Sequence, residues 1–361
     1  MKLFTKSVLF YGLAAYLLMF AFIVASNAQP DTTAEKGFFD SDEILHITLS
    51  GDMRKLLKDK SKDPKNYPLL LTYTNGSGAN ISIPVAVRTR GNFRRLQGNC
   101  EYLPLMVHFP KTGEHLTTVF KEQKKMKLVM PCKDEKYVVR EWLVYKLYNL
   151  VTPKSFRARL VKVTLLDEND KKPDPPFYGI LLEEETQMAT RNGLVVVERK
   201  MKPYQVQKDA FLSMAVFEYL IGNTDWSIQY QQNIKLLAQD SIAVPTAVPY
   251  DFDHAGIVSA PYALPAEALQ MKSVRERRYR GYCIDFQKFE PVIALYNQLK
   301  PDIYSIYTTC TLLDEKYIES TVDYLDAFYK TINDPKAWQK EFAYPCDPNG
   351  TGNVVIKGLK E

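Results

Sequence analysis

Histidine is scarce: 361 residues carry four, which disfavours an imidazole-rich metal centre. The five cysteines, Cys100, Cys132, Cys283, Cys310 and Cys346, contain no Cys-x-x-Cys pair, so a zinc site is disfavoured as well. Neither sign of charge is in large excess, with 47 Lys and Arg against 42 Asp and Glu. That balance does not call for a nucleic-acid partner. No repeat or low-complexity tract is visible, and nothing after residue 28 reads as a membrane span. What is present is a chain 46% hydrophobic, with 23 Tyr and 18 Phe. That is ample material for a core, in one two-lobed domain or in two domains.

The first stretch reads as targeting rather than fold. Lys2 and Lys6 flank the start of an apolar run from Val8 to Val24, and Ser26-Asn27-Ala28 offers small residues for cleavage. The expectation is a signal peptide over 1–28 and an exported chain, periplasmic or extracellular, with no stable membrane span after cleavage. The run is long for a signal peptide, so an N-terminally anchored form is the alternative. In an oxidising compartment cysteines pair, and an odd number leaves at least one outside intramolecular bridges. Cys100 with Cys132 is the preferred bridge, both standing beside expected strands.

Period-two alternation predicts strands at 44–50, 69–73, 81–88, 105–109, 124–130, 159–166 and 178–183. A hairpin at Asn75-Gly76-Ser77-Gly78 joins two of them, and Lys55 to Lys65 reads as a charged connection. One helix, Arg140 to Val151, interrupts the strands and stops before Pro153. The N-terminal part, 29–184, is thus a β-rich lobe built on a mixed sheet. The acidic run Glu183-Glu184-Glu185 marks a shift in composition, and 185–361 reads as a helical lobe. Its helices are Lys208 to Ile221, Glu290 to Leu299, Asp302 to Leu313 and Ile318 to Ile332. The expected fold class is α+β. Val274 to Arg280 concentrates four arginines and reads more readily as a solvated helix face than as an anion site.

Candidate chemistry concentrates between residues 221 and 256. Gly222-Asn223-Thr224-Asp225-Trp226 follows the apolar helix, Asn233 opens a short strand, and Pro249-Tyr250-Asp251-Phe252-Asp253-His254 ends the next. Each Asp or Asn taken singly is an ordinary turn residue. Together they place carboxylate and amide oxygens at the ends of short β elements, the ligands that suit a hard divalent cation. Upstream, Arg90 and Gly91 lie in a basic turn from Arg88 to Arg95, either a plain loop or a cradle for an anion. Lys127 alternates with Met126 and Leu128 and so faces away from them. Glu141, at the start of the expected helix, serves either the helix dipole or a salt bridge to Lys127.

A strand lysine and a helix glutamate, then Asp, Asn and Asp in a helical lobe, follow the order of parts in a protein kinase. The usual glycine loop, His-Arg-Asp and Asp-Phe-Gly signatures are absent. The chain instead resembles the spore-coat-protein-H-like (CotH) atypical kinases, and more distantly the HipA-like kinases. The matching stretches are Arg88–Asn92, Lys125–Val129, Arg140–Tyr145, Tyr178–Glu183, Gly222–Trp226 and Pro249–His254. This resemblance implies a two-lobed kinase-like fold that uses ATP with Mg²⁺ or Mn²⁺ and phosphorylates Ser or Thr hydroxyls of a protein substrate. Asp225 would be the catalytic base, Asn233 and Asp251 metal ligands, and Asp253 a helper through water. Lys127 would contact the nucleotide phosphates, braced by Glu141, while Arg90 and the backbone around Gly91 close over them. Gln232 stands where the family pattern places a histidine. That substitution supports a second reading, a catalytically weak kinase-like binding or scaffold protein of the cell envelope. A third reading, a metal-dependent hydrolase, would use Asp251, Asp253 and His254.

Overall fold

The computed structural model describes residues 37–91, 100, 102–170 and 172–347. The expected signal peptide or anchor, and the part of the basic turn from Asn92 to Arg95, lie outside the described residues.

Seven strands close into a barrel: β1 (Leu45–Gly51), β2 (Tyr67–Thr74), β3 (Asn80–Thr89), β4 (Leu105–His108), β5 (Lys125–Val129), β6 (Ala158–Asp167) and β7 (Phe177–Leu182). Their order around the barrel is β1-β2-β3-β4-β5-β7-β6, and a parallel pairing of β1 with β6 completes it. Sequence alternation predicted these strands, but as a mixed sheet rather than a closed one. Closure depends on a pairing between β1 and β6, more than a hundred residues apart, which no local pattern reveals. Inward positions such as Leu49, Leu71, Val87, Val107, Met126, Leu128 and Val163 form one apolar core inside the barrel. On β5 the alternation turns Lys127 outward, opposite Met106 of β4 and Leu182 of β7.

Three expectations about helices change. A short helix, α1 (Met53–Lys58), occupies part of the charged connection, because Asp52 caps it and Met53 and Leu56 bury against the barrel. Helix α2 (Glu135–Val151) begins earlier than expected, since Asp134 accepts from Lys136 N and starts the first turn. Glu141 therefore lies in the second turn, beyond the reach of a simple dipole role. In the C-terminal half two expected helices are one, α5 (Glu290–Thr308), running through Pro301. Tyr296, Ile303 and Tyr307 remain in the core on both sides of that proline. Their burial, about 1.5–3 kcal/mol each, outweighs the roughly 3 kcal/mol the proline costs.

The remaining elements are α3 (Glu185–Arg191), α4 (Lys208–Ile221), α6 (Glu315–Ile332), α7 (Pro335–Phe342) and a small antiparallel sheet. That sheet comprises β8 (Val195–Val196), β9 (Ile234–Ala238) and β10 (Thr246–Pro249), in the order β10-β9-β8. Helix α4 is apolar nearly all round and is buried from Phe211 to Ile221 apart from Ser213. Helix α2 packs on β6 and β7 and also meets α4 and α5, so it touches both halves of the molecule. Cys100 bonds Cys132, as expected, and a second bridge joins Cys283 to Cys346; Cys310 is a free thiol. Among the described residues no helix is long and apolar enough to cross a membrane.

Candidate functional site

Helix α4 stops at Gly222, whose left-handed backbone (φ +68°) caps the helix. A side chain there would also meet Tyr324 Oη at 2.2 Å, so only glycine fits. Directly after it, Asn223 Oδ1 accepts from Asp225 N at 3.0 Å. Arg280 then donates to the carbonyls of Thr224 and Trp226, at 2.6 Å each, on either side of Asp225. The segment 223–226 is thereby fixed from below, with the Asp225 carboxylate at its tip.

Residues 227–232 form a tight return. Ser227 and Gln232 exchange backbone hydrogen bonds at 3.0 and 2.9 Å, which brings the following side chains back onto Asp225. Gln232 Nε2 donates to Asp225 Oδ1. Asn233 Nδ2 donates to Asp225 Oδ2 at 3.0 Å and to its carbonyl at 2.7 Å. With its N–H groups so used, the oxygen of the Asn233 amide is the atom left to ligate a cation.

Strands β9 and β10 pair so that Pro249 stands opposite Ile234, and Tyr250 N reaches Asn233 O at 3.0 Å. The chain then delivers Asp251, in the left-handed region at φ +65°. Tyr145 of α2 holds this turn: its hydroxyl accepts from Asp251 N at 2.9 Å. Lys127 crosses from the barrel and donates to Asp251 Oδ1 at 2.7 Å. Gln231 and Asn233 are also left-handed, at φ +49° and +51°. Non-glycine residues in that region cost about 1–3 kcal/mol each and gather at functional sites. Here three of them flank the same carboxylates.

Electrostatics agree with this convergence. Burial raises the Asp225 carboxyl above its usual range, His254 and Arg280 pull it down, and Asp253 and Asp251 push it up. Burial, followed by the charges of Glu141, Asp251 and Asp253, holds the Tyr145 phenol well above its ordinary value. Asp253 is buried and accepts from Tyr262 Oη at 3.2 Å, and His254 packs edge-on against the same ring. Glu141 is 1% exposed, one helical turn before Tyr145, and the salt bridge expected from it to Lys127 is not formed: Lys127 pairs with Asp251.

A cleft opens over Lys127. Arg90, Met106, Lys125, Lys127, Lys235 and Tyr250 line it, with Glu183, Glu184 and Glu185 along one wall. Glu184 caps α3 and pairs with Lys125 at 3.2 Å, while Glu185 pairs with Lys235 at 2.6 Å. Arg90 is thus brought to the same cleft as Lys127. Gly91 beside it is left-handed (φ +89°), a backbone state that glycine adopts freely. Asn233, Asp251 and Asp253 offer oxygen donors only, a set that suits Mg²⁺ or Mn²⁺. Among the described residues no three His, Cys, Asp or Glu groups gather around one point. Two aspartates with one amide would leave positions on such an ion for water and phosphate ligands. Arg90, Lys125, Lys127 and Lys235 are cations that suit a polyphosphate, which would compete for the last three with Glu184, Asp251 and Glu185.

Two supporting residues escaped the sequence reading. Tyr145 was legible only as a helical position. Arg280 lay in the arginine run expected on a solvated helix, yet residues 277–280 are irregular and turned inward. Arg277 donates to Leu220 O and Tyr324 O, and Arg275 to Gly256 O, so the run ties the C-terminal helices to the loops that carry the carboxylates. Burial pushes Arg280 down to about 10, with Asp225 and Glu218 opposing.

No family model and no curated protein matches the chain. Among solved structures it is similar to the crystal structure of a Helicobacter pylori proinflammatory kinase, CtkA, at 12% identity and a TM-score of 0.41. The overlap covers 73% of this chain and 95% of that one. Likeness at this level carries no inference to activity, and the functional reading rests on the cleft.

Proposed function

We propose that the chain is an exported, ATP-dependent phosphotransferase with a two-lobed, protein-kinase-like arrangement. The lobes would be 29–184 and 185–361, after a signal peptide over 1–28, and its relatives would be the CotH-like kinases. The observation that carries the reading is the Lys127–Asp251 contact at 2.7 Å, beside an Asp225 held by Asn233. A barrel lysine, a loop aspartate and an aspartate–asparagine pair converge there, as phosphoryl transfer needs.

Bound Mg²⁺·ATP would supply the γ-phosphoryl group and an ion to neutralise charge on its oxygens. Asn233 Oδ1 and Asp251 would hold the ion, with Asp253 acting through water. Lys127, released from Asp251, would set its ammonium on the phosphates, and Arg90 with the turn at Gly91 would cover them. Buried Glu141 would keep negative charge near the lysine. Asp225 would orient a Ser or Thr hydroxyl of a protein substrate and take its proton as the oxygen bonds to the γ-phosphorus and the bond to the bridging oxygen breaks, with ADP as the leaving group. Radiolabelled phosphate transfer should disappear in Asp225→Ala and in Asp251→Ala. Transfer that survives in the double variant would sink the proposal.

A second reading draws on one observation. Gln232 occupies Asp225 Oδ1, and its own Oε1 is buried without a hydrogen-bond partner among the described residues. An amide cannot shuttle a proton, so the cleft would bind nucleotide and turn it over weakly or not at all. Thermal stabilisation by Mg²⁺·ATP without any transfer would favour this binding role.

A further inference from the structure

A second cavity, of about 270 Å³, opens between the segment after residue 37, helix α2 and the start of β6. Lys146, Arg157, Arg159 and Arg191 line it, with Asp42 at its rim. Liquid water occupies roughly 30 Å³ per molecule, so a tetrahedral oxyanion has room there.

Positive charge in this cavity is under-compensated. Arg159 is 6% exposed, and it donates to backbone oxygens, Phe38 O at 2.8 Å and Glu43 O at 2.9 Å. The carboxylates of Glu43 and Asp42 act on it as nearby charges. Arg157 and Arg191 share one carboxylate, fully buried Glu183, at 2.9 Å each. Lys146 is paired with Asp42, whose side chain is 68% exposed. Exposed pairs of this kind are worth about 0–1 kcal/mol, so an incoming anion can displace the aspartate at little cost. Burial also lowers the Arg159 guanidinium, which an anion would relieve.

We infer that this cavity is a binding site for a phosphoryl group, with Lys146 and the guanidiniums of Arg157 and Arg159 as its ligands, Arg191 bracing the wall through Glu183 and the Pro153 and Ser155 carbonyls, and Asp42 as an internal stand-in. Planar guanidinium forks match the oxygens of a phosphate, and an excess of cations over carboxylates matches a dianion better than a monoanion. The site is separate from the cleft over Lys127 and does not rest on the phosphotransfer reading. Occupancy would tie α2 to the base of β6 and to α3. Lys146 follows Tyr145, whose hydroxyl holds Asp251 N, so the tie would steady the turn that carries Asp251.

Isothermal titration of the full chain with inorganic phosphate, and separately with a phosphoserine peptide, tests the inference. Saturable binding is expected, weakened at least ten-fold in Lys146→Ala and tightened several-fold in Asp42→Asn. Both positions lie toward the surface, so folding is not at stake as it is for Arg159. Comparable affinity for both probes identifies a free phosphate or phosphoester as the ligand, and a marked preference for the peptide identifies a phosphorylated side chain. Binding that is lost in Lys127→Ala but kept in Lys146→Ala would place the phosphate in the cleft and overturn the inference. So would the absence of saturable binding for both probes at millimolar concentration.

Discussion

Lys127 Nζ lies 2.7 Å from Asp251 Oδ1, a contact that joins the outer face of the barrel to the turn after β10. Lysine is 7% exposed in this pair and aspartate 33%. Lys127→Met keeps the apolar stem and deletes the charge. Phosphate transfer should fall by about 10²–10³-fold, the usual cost of one well-placed electrostatic partner. Stability should change by less than about 1 kcal/mol, because the aspartate left behind reaches solvent. Full transfer by a folded Lys127→Met protein would remove the lysine from the mechanism.

Tyr145, on helix α2, supports the same turn as Lys127. Its hydroxyl accepts from Asp251 N at 2.9 Å, and Tyr145→Phe removes that acceptor without changing the ring's packing on Phe252. Urea unfolding should show a loss of about 1 kcal/mol. Transfer should drop by about ten-fold through mispositioned Asp251, with the apparent affinity for Mg²⁺ weakened in parallel. A variant with unchanged metal dependence would make Tyr145 a packing residue only.

The strands that build the barrel were legible in period-two alternation, and Lys127 was placed on the outer face by its neighbours Met126 and Leu128. Asp225, Asn233 and Asp251 were singled out through their order in the chain, and the structure bonds Asn233 to Asp225 and Lys127 to Asp251. What local pattern could not reveal was tertiary. Barrel closure requires β1 to find β6, and Arg280 acts through carbonyls more than fifty residues away. Pro301 misled because its cost is local, whereas the burial that carries α5 through it is not. The arginine run misled for a related reason: charge patterning describes a face, and these guanidiniums bond backbone oxygens in the interior.

Glu218 gives the fold a predicted pH dependence. It is fully buried, and burial raises its carboxyl well above the ordinary range, with Asn223 and Arg280 offsetting and Asp225 adding. A group raised in the folded state contributes stability that is fully present below its unfolded pKa and is lost as pH rises through the folded one. Wild-type stability should therefore decline above about pH 4.3, the ordinary Glu value, with a limiting slope of about 1.4 kcal/mol per pH unit from this group. Glu218→Gln cannot ionise and should flatten that slope. Denaturation midpoints at pH 5 and pH 8 should then diverge, the variant gaining on the wild type at pH 8. Parallel curves would show that Glu218 does not hold a proton in the fold.

Arg280 binds the Thr224 and Trp226 carbonyls at 2.6 Å each and stacks over the Trp226 ring, so it sets the height of Asp225 from beneath. Arg280→Met fills similar volume but leaves two buried carbonyl oxygens unpaired, at about 1–3 kcal/mol each. Arg280→Lys keeps the charge yet lacks the planar fork, and a single ammonium serves the two carbonyls less well. The expected order of stability is wild type, then Lys, then Met, with Met lower by about 2–6 kcal/mol. Transfer should follow the same order, because the loop that carries Asp225 loses its anchor while Lys127 and Asp251 keep theirs. Equal transfer in all three proteins at a temperature where each is folded would show that Asn223, Gln232 and Asn233 suffice to hold Asp225.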